Sequence, residues 1–347
     1  MSAAPRRVGV IGTGFGEQHL RWLANCPETT VAQLAYDTDR DRAEALAAKH
    51  HIPQVVCGGD TLVAGDLDLV VIASPVSSHG RLAGKSVRLG RATVCEKPLA
   101  LTAGEAASLA AVAAEAAVPT MVMFQWRLHP AFQALRDLVR SGGLGDLVHV
   151  DLRFHHDFLV GHQSPFAWRH DRALAGAGAF ADQAVHLADL LLWLAGRPFE
   201  VIHRAGYLAW PTRRTATATI TARTEDVGAA ILSEPASGLL ATMAVSRVSA
   251  GHRAIGVTIA GLRGTAEVRL DPDNESAALL MPEGGAMEWP AYSLGNPYSA
   301  FLSGDRNVAT FDDGVAAQLI LDRLAEQVTG QDGPGHHHPM DEARRST

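Results

Sequence analysis

Cysteine is scarce in this chain of 347 residues: only Cys26, Cys57 and Cys95 occur, and none stands in paired metal-binding spacing. A disulfide framework belongs to much shorter, Cys-denser secreted chains, so it is excluded and the three are expected as buried thiols. Also missing is any run of about 18 uncharged apolar residues, which removes a membrane-spanning helix. Basic residues are no commoner than acidic ones, since 30 Lys and Arg against 37 Asp and Glu leave a net charge of -7 without a long cationic stripe. Nothing in that pattern would grip a phosphate backbone, so nucleic acid is not an expected partner. Pro5-Arg6-Arg7 before Val8-Gly9-Val10-Ile11 opens like an export signal, but glycines at 12, 14 and 16 interrupt the apolar stretch at once. A cytoplasmic protein is therefore expected. The marks of a disordered chain are absent too, because 47% of the residues are hydrophobic and 19% charged.

What is present is enough material for two cores. A single core stops growing near about 250 to 300 residues, so this length predicts two domains. Over residues 1–125, strands are predicted at Val8–Ile11, Val31–Tyr36, Val55–Cys57, Leu69–Ala73, Ala92–Cys95 and Thr120–Phe124, with helical segments such as Asp41–His50 and Thr102–Ala117 between them. That alternation predicts an α/β, doubly wound parallel sheet. After Gln125 the rhythm changes to a helix at Pro130–Arg140, a Gly142-Gly143-Leu144-Gly145 turn, a strand near Leu147–Phe154 and a helix near Phe180–Leu194. Strands then follow one another at Thr215–Ala222, Val227–Leu232, Leu239–Ser246, Ile255–Ala260 and Thr265–Leu270. Their short connections predict an α+β domain over 126–330 with a predominantly antiparallel, open sheet. A closing helix over Asp312–Val328 and a polar tail over 331–347 complete the chain.

Gly12-Thr13-Gly14-Phe15-Gly16 follows the first strand and precedes a helix beginning near Glu17. Glycines there let the backbone turn tightly against a pyrophosphate, which the free N–H groups of the helix N-terminus then receive. The spacing is irregular: strict G-x-G-x-x-G would place its third glycine at Glu17, whereas Gly16 comes one position earlier. Asp37, about twenty residues on at the end of the second strand, can accept hydrogen bonds from ribose hydroxyls. Its charge repels a 2′-phosphate, favouring NAD, with NADP possible because Arg40 is near enough to offset it. The first domain is thus read as a Rossmann dinucleotide-binding domain contacting cofactor through Gly12, Gly14, Phe15, Gly16 and Asp37.

Leu69-Val70-Val71-Ile72-Ala73-Ser74-Pro75, then His79, reads as a buried strand ending in a polar turn at the carboxyl edge, where open α/β sheets bind ligands. One strand further on, Glu96-Lys97-Pro98 sets opposite charges at a strand end. Together with Arg127-Leu128-His129-Pro130, Gly143-Leu144-Gly145, Trp168-Arg169 and Gly176-Ala177-Gly178-Ala179-Phe180-Ala181-Asp182-Gln183-Ala184-Val185-His186, then Asp189, these blocks resemble the Gfo/Idh/MocA family over nearly the whole chain. The family is named for glucose-fructose oxidoreductase and inositol dehydrogenase.

The resemblance implies a catalytic group of Lys97, Asp182 and His186, and places Ser74, Pro75, His79, Glu96, Lys97, Trp168 and Arg169 at the cofactor or substrate. Local physics agrees with the catalytic set. Asp182 and His186 are i and i+4, which on a helix share a face. Histidine titrates near working pH and suits the acid/base role, while Lys97 would stabilise alkoxide character. Asp182 can anchor substrate or hold the imidazole. No metal site is expected, since His155 or His156 would have to join Asp182 and His186 to supply enough ligands. His336, His337 and His338 read as a solvated tract.

The implied function is an NAD(P)-dependent dehydrogenase of a cyclic polyol, sugar or amino sugar. Two alternatives are an NAD-dependent glycosidase that oxidises its sugar transiently and a non-catalytic dinucleotide-binding regulator. A homodimer or homotetramer through the C-terminal sheet is also implied. The strand from Leu239 leaves that open, because Leu240, Thr242, Ala244 and Ser246 on its second face could meet either water or a partner.

Overall fold

The first strands are β-branched runs with no polar interruption, which is what a strand buried on both faces requires. In the computed structural model, which describes residues 4–326, they build a six-stranded parallel sheet ordered β3-β2-β1-β4-β5-β6. Its elements alternate: β1 (Arg6–Ile11), α1 (Gly16–Ala24), β2 (Thr29–Tyr36), α2 (Arg40–Lys49), β3 (Gln54–Cys57), α3 (Gly59–Ala64), β4 (Leu69–Ile72), α4 (His79–Arg88), β5 (Ala92–Cys95), α5 (Ala103–Ala116) and β6 (Thr120–Val122). The strand order reverses between β1 and β4, so their carboxyl ends flank the crevice where such sheets bind dinucleotides.

The second sheet follows α6 (Pro130–Arg140), which starts with proline at its first turn under a His129 cap. Next come β7 (Leu147–His155), α7 (Arg172–Ala175), a five-residue π-helical turn over Phe180–Ala184, and α8 (Val185–Ala195). The remaining strands are β8 (Glu200–Tyr207), β9 (Thr212–Arg214), β10 (Thr219–Thr221), β11 (Val227–Ser233), β12 (Leu240–Ser246), β13 (Ala254–Gly261), β14 (Gly264–Leu270), β15 (Ala277–Leu280) and β16 (Ala286–Trp289). Seven of them join β7 in one eight-stranded sheet, in the order β16-β15-β14-β13-β7-β12-β11-β8, antiparallel except where β7 runs parallel to β12. Val150 and Leu152 on β7, with Ala241, Met243 and Val245 on β12, are buried on the face covered by α6 and α8. The opposite face has a charged centre, where Asp151 meets Arg153 at 2.9 Å and Thr242 at 2.7 Å. Towards β8 it turns apolar, with Ile231 and Leu240 exposed.

Several expectations need correction. Thr215–Ala222 is not one strand: Thr215 N donates to Ala218 O, closing a tight turn between β9 and β10. Strands β8, β15 and β16 and the helix α9 (Pro297–Ser303) carry too little alternation to be read from sequence. Cys57 at the end of an edge strand is exposed, although Cys26 and Cys95 are buried. The helix expected over Asp312–Val328 is α10 (Phe311–Ala325), begun by a capping box between Thr310 and Asp313. Val328, the rest of the tail and His336–His338 lie outside the described residues.

The end of the chain also returns to the first domain. Tyr298 and Phe301 of α9 belong to the hydrophobic core around α1 and β1, while α10 packs on α5 and β6 as well as α8. Phe311 at the start of α10 is 1% exposed, so Phe311→Ala should cost about 3–5 kcal/mol through the cavity it leaves. We expect denaturant unfolding of this variant to stay a single transition at a lower midpoint. A separate early transition of one domain would show that α10 does not couple the two.

Candidate active site

Three parallel strand ends build one wall of the site. Gly12 follows β1 with φ +106°, and a Cβ there would lie 2.4 Å from the Ala73 carbonyl oxygen at the end of β4, so only glycine permits this approach. Around Gly14 a Cβ would meet nothing, leaving open space in front of the turn, and α1 begins at Gly16 with Phe15 exposed at its cap. The amides of Thr13, Gly14 and Phe15 donate to no described backbone carbonyl. A glycine turn with space before it and free donors at a helix start fits a dinucleotide pyrophosphate. Asp37 is exposed one residue past β2. The cation beside the turn is Arg42, whose Nε donates to Thr13 O at 2.9 Å, whereas Arg40 pairs with Glu44.

The second and third strand ends are tied together by His79. Its ring is 1% exposed, with Nε2 2.9 Å from Ser74 O and Nδ1 2.8 Å from Pro98 O, so it braces the Ser74-Pro75 turn against the segment after Lys97. Ser74 and Ser78 hydroxyls meet at 2.6 Å. His79 and Glu96 were both expected to face the cofactor. His79 instead faces two carbonyls, while Glu96 gives one carboxylate oxygen, Oε1, to His19 at 2.9 Å.

The other wall is the π-helical turn. Glu225 accepts from Gly178 N at 2.8 Å and Phe180 N at 2.9 Å, capping that turn with a carboxylate. The backbones pack so closely that a Cβ on Gly178 would lie 1.9 Å from Glu225 O. Because Asp182 sits in a π turn, its spacing to His186 is not that of a plain α-helix. The two share the cleft, yet no hydrogen bond joins them among the described residues.

Asp182 is instead held by two cations. Lys97 Nζ lies 3.1 Å from Oδ1 and donates to the Asp182 main-chain oxygen at 2.6 Å. Arg169 Nη1 approaches Oδ2 at 2.7 Å from the opposite side, so this residue, expected at the cofactor, pairs with a member of the catalytic set. Burial would raise the carboxyl's pKa, but Arg169, Lys97 and Arg247 together hold it far below the usual carboxylate range. The Arg169 guanidinium rests between Trp168 and Phe166, 4.8 and 4.9 Å from their rings. Its arm is anchored by the fully buried Arg213, which donates to Leu159 O and Gly161 O, each at 2.6 Å, and pairs with buried Asp226 at 2.7 Å.

His186 lies among Phe124, Trp126 and Phe154, with ring centroids 6.0, 6.4 and 6.2 Å away. Burial, then the nearby Lys97 charge, pull its pKa well below that of a free imidazole, so it is neutral. Its buried Nδ1 has no partner among the described residues. Sequence reasoning missed the roles of His19, Tyr298, Glu225 and Arg213. Arg127 and Asp189 were visible only as part of a pattern; they form a buried pair at 2.9 and 2.6 Å that fixes α8 one turn past His186. No cluster of three or more metal-ligating side chains occurs among the described residues.

These burials set a pH dependence of stability. His186, His79 and His170, the last lowered to about 4, all bind protons more weakly folded than unfolded, chiefly through burial. Their contribution is complete above the unfolded histidine value of about 6.5 and is lost as pH falls toward the folded values. Asp189, raised by burial to about 6, acts oppositely, its contribution being lost as pH rises through that value. His50, His129 and His155 are lowered by burial as well, and Glu275 is raised. With six histidines against two carboxyls, thermal unfolding should give a lower Tm at about pH 5.5 than at about pH 7.5. An unchanged or higher Tm at the acidic pH would contradict the burial assigned to these histidines.

With this geometry established, similarities to known proteins are informative. Residues 6–124 match the profile of an oxidoreductase family with an NAD-binding Rossmann fold, and residues 132–267 match the Gfo/Idh/MocA C-terminal domain. The rhizopine catabolism protein MocA of Rhizobium meliloti is 33% identical over 200 residues, covering 55% of this chain and 57% of that protein. Inositol 2-dehydrogenase of Acidothermus cellulolyticus is 32% identical over 195 residues, covering 54% and 53%. The chain thus spans about half the length of the curated relatives it matches. An oxidoreductase domain protein from Kribbella flavida shares the fold at TM-score 0.82 and 24% identity, covering 93% of this chain and 96% of its own. A levoglucosan dehydrogenase solved with NADH does so at TM-score 0.81 and 21% identity, covering 92% and 97%. With profiles for both of the family's domains matched in order along one chain, this protein belongs to the Gfo/Idh/MocA family of oxidoreductases.

Proposed function

We propose that this protein is an NAD-dependent dehydrogenase that transfers hydride between nicotinamide and a secondary alcohol or ketone of a cyclic polyol, sugar or amino sugar. The observation that carries the reading is the meeting of Lys97, from the Rossmann sheet, with Asp182 and the neutral imidazole of His186, two strand ends along from the glycine turn. Relatives named inositol 2-dehydrogenase, levoglucosan dehydrogenase and D-apiose dehydrogenase support the substrate class.

Gly12, Gly14, Phe15 and Gly16 would hold the pyrophosphate and Asp37 the adenosine ribose, with Ser74, Pro75 and Lys97 toward the reacting end. The bound nicotinamide supplies the hydride acceptor or donor. His186 takes the hydroxyl proton in oxidation and returns it in reduction; being neutral at rest, it is ready as a base. Lys97 orients the substrate oxygen and stabilises its developing negative charge. Asp182 keeps the Lys97 ammonium in place and offers a fixed acceptor to a neighbouring hydroxyl. Trp168 holds the arm that delivers Arg169 to Asp182. The exposed Ile231 and Leu240 support a homo-oligomer formed through the open face of the second sheet.

The decisive measurement is a screen of inositols, hexoses and amino sugars with NAD and NADP, followed by reduced-cofactor absorbance in the near ultraviolet. Lys97→Ala and His186→Ala should each fold and bind NADH while kcat falls about 10²–10⁴-fold. Full activity in either variant sinks the mechanism. Glycoside cleavage without net NADH would replace it with transient oxidation. Calorimetry should show NADH bound more tightly than NADPH, and the reverse order would shift the cofactor preference from Asp37 to Arg42.

A further inference from the structure

Three side chains outside that mechanism form a closed chain of hydrogen bonds behind the catalytic lysine. His19, on α1 just after the glycine turn, is fully buried, with Nε2 2.9 Å from Glu96 Oε1 and Nδ1 2.6 Å from Tyr298 Oη. Glu96 is 7% exposed and Tyr298 not at all. The donor directions follow from chemistry. A carboxylate only accepts, so His19 Nε2 carries the hydrogen on that side, while Nδ1 meets the Tyr298 phenol and its proton on the other. Burial pushes the Tyr298 pKa well up, which keeps that proton in place. The second carboxylate oxygen of Glu96 accepts from Lys97 N at 3.2 Å. One polar chain therefore runs from α9, through the helix behind the glycine turn, to the main chain of Lys97.

Hydrophobic burial alone does not call for this arrangement, because a carboxylate withdrawn from water is costly even when it is paired and hydrogen-bonded. Glu96 stands at the carboxyl end of β5, and its side chain keeps 10% exposure. Edge-on contacts hold the His19 ring from Phe15 at 5.8 Å and Trp22 at 5.5 Å, so it has one orientation. We propose that Tyr298 and His19 are positioning residues that fix the Glu96 carboxylate toward the nicotinamide end of the cofactor, where its charge favours the oxidised ring over the reduced one. The oxidised ring is formally cationic and the reduced ring neutral, so a fixed carboxylate in a partly buried site distinguishes them by Coulomb attraction. This inference rests on the NAD-dependent reading above.

The test compares dissociation constants for NAD+ and NADH, measured by calorimetry, in wild type, Glu96→Gln, His19→Met, His19→Gln and Tyr298→Phe. Glu96→Gln should weaken NAD+ about tenfold and NADH within about twofold, the order expected of one charge contact in such a site. His19→Met should shift the ratio in the same direction, and His19→Gln, which restores an N–H donor, should recover most of it. Tyr298→Phe deletes only the hydroxyl and should produce a smaller shift of the same sign. The double variant His19→Met/Glu96→Gln should bind NAD+ no worse than Glu96→Gln alone, because both substitutions remove one shared effect. Equal weakening of both cofactors, or an unchanged ratio in Glu96→Gln at wild-type Tm, would reduce the chain to core packing and overturn the proposal. If His19→Met fails to fold, Tyr298→Phe and His19→Gln still decide it. Wild type binding neither dinucleotide would instead overturn the cofactor reading itself.

Discussion

The carboxylate of Asp182, withdrawn from water and gripped by Lys97 on one side and Arg169 on the other, is the interaction from which the rest of the site follows. A buried charge is tolerable only when it is paired and its remaining lone pairs are satisfied. Here the partners come from three separate places: the end of β5, the arm before α7 and the π turn before α8. Their convergence closes the cleft between the domains. Taking away either cation would leave the charge partly unpaired, a change that in buried pairs costs about 3–5 kcal/mol. Much of the scaffold supports this contact. Glu225 caps the turn that carries Asp182, and Arg213 tethers the arm that carries Arg169.

The same Lys97 charge acts on His186, with the opposite consequence. It adds to Arg169 in keeping the carboxyl ionised and to burial in keeping the imidazole neutral, so one charge works on both protonation states. A general base whose pKa is pushed down is fully available but intrinsically weaker, and efficiency depends on the balance of these two effects. The aromatic side chains around His186 shield it from water and leave its ring one polar direction to face. Asp189, paired with Arg127 one turn further along α8, holds that helix in register without touching the chemistry.

Much of this was legible in the sequence for physical reasons. Strands buried on both faces show as unbroken runs, so β1, β4 and β5 were found within a residue or two. Glycines that admit a backbone approach, such as Gly12, stand out because nothing else fits. Lys97, Asp182 and His186 could be named through the family resemblance that their sequence blocks carry, although the π turn that changes the relation of Asp182 to His186 leaves no mark in residue type. Strands β8, β15 and β16 escaped because their burial is set by neighbours distant in the chain. Tyr298 was invisible for the same reason: its partner His19 lies 279 positions away. Arg169 was assigned to the right region but its contact with Asp182 was not foreseen, since a sequence shows that a cation is near a site without showing which acid it meets.

The return of α9 and α10 to the first domain has a consequence for how the protein is made. The Rossmann sheet is complete by Val122, yet its core waits for Tyr298 and Phe301. Until those residues leave the ribosome, His19 lacks its phenol and the apolar surface around α1 stays uncovered. The nascent chain must therefore carry an unfinished nucleotide domain through the synthesis of the whole second sheet, and that domain reaches its final packing only once α9 has been made.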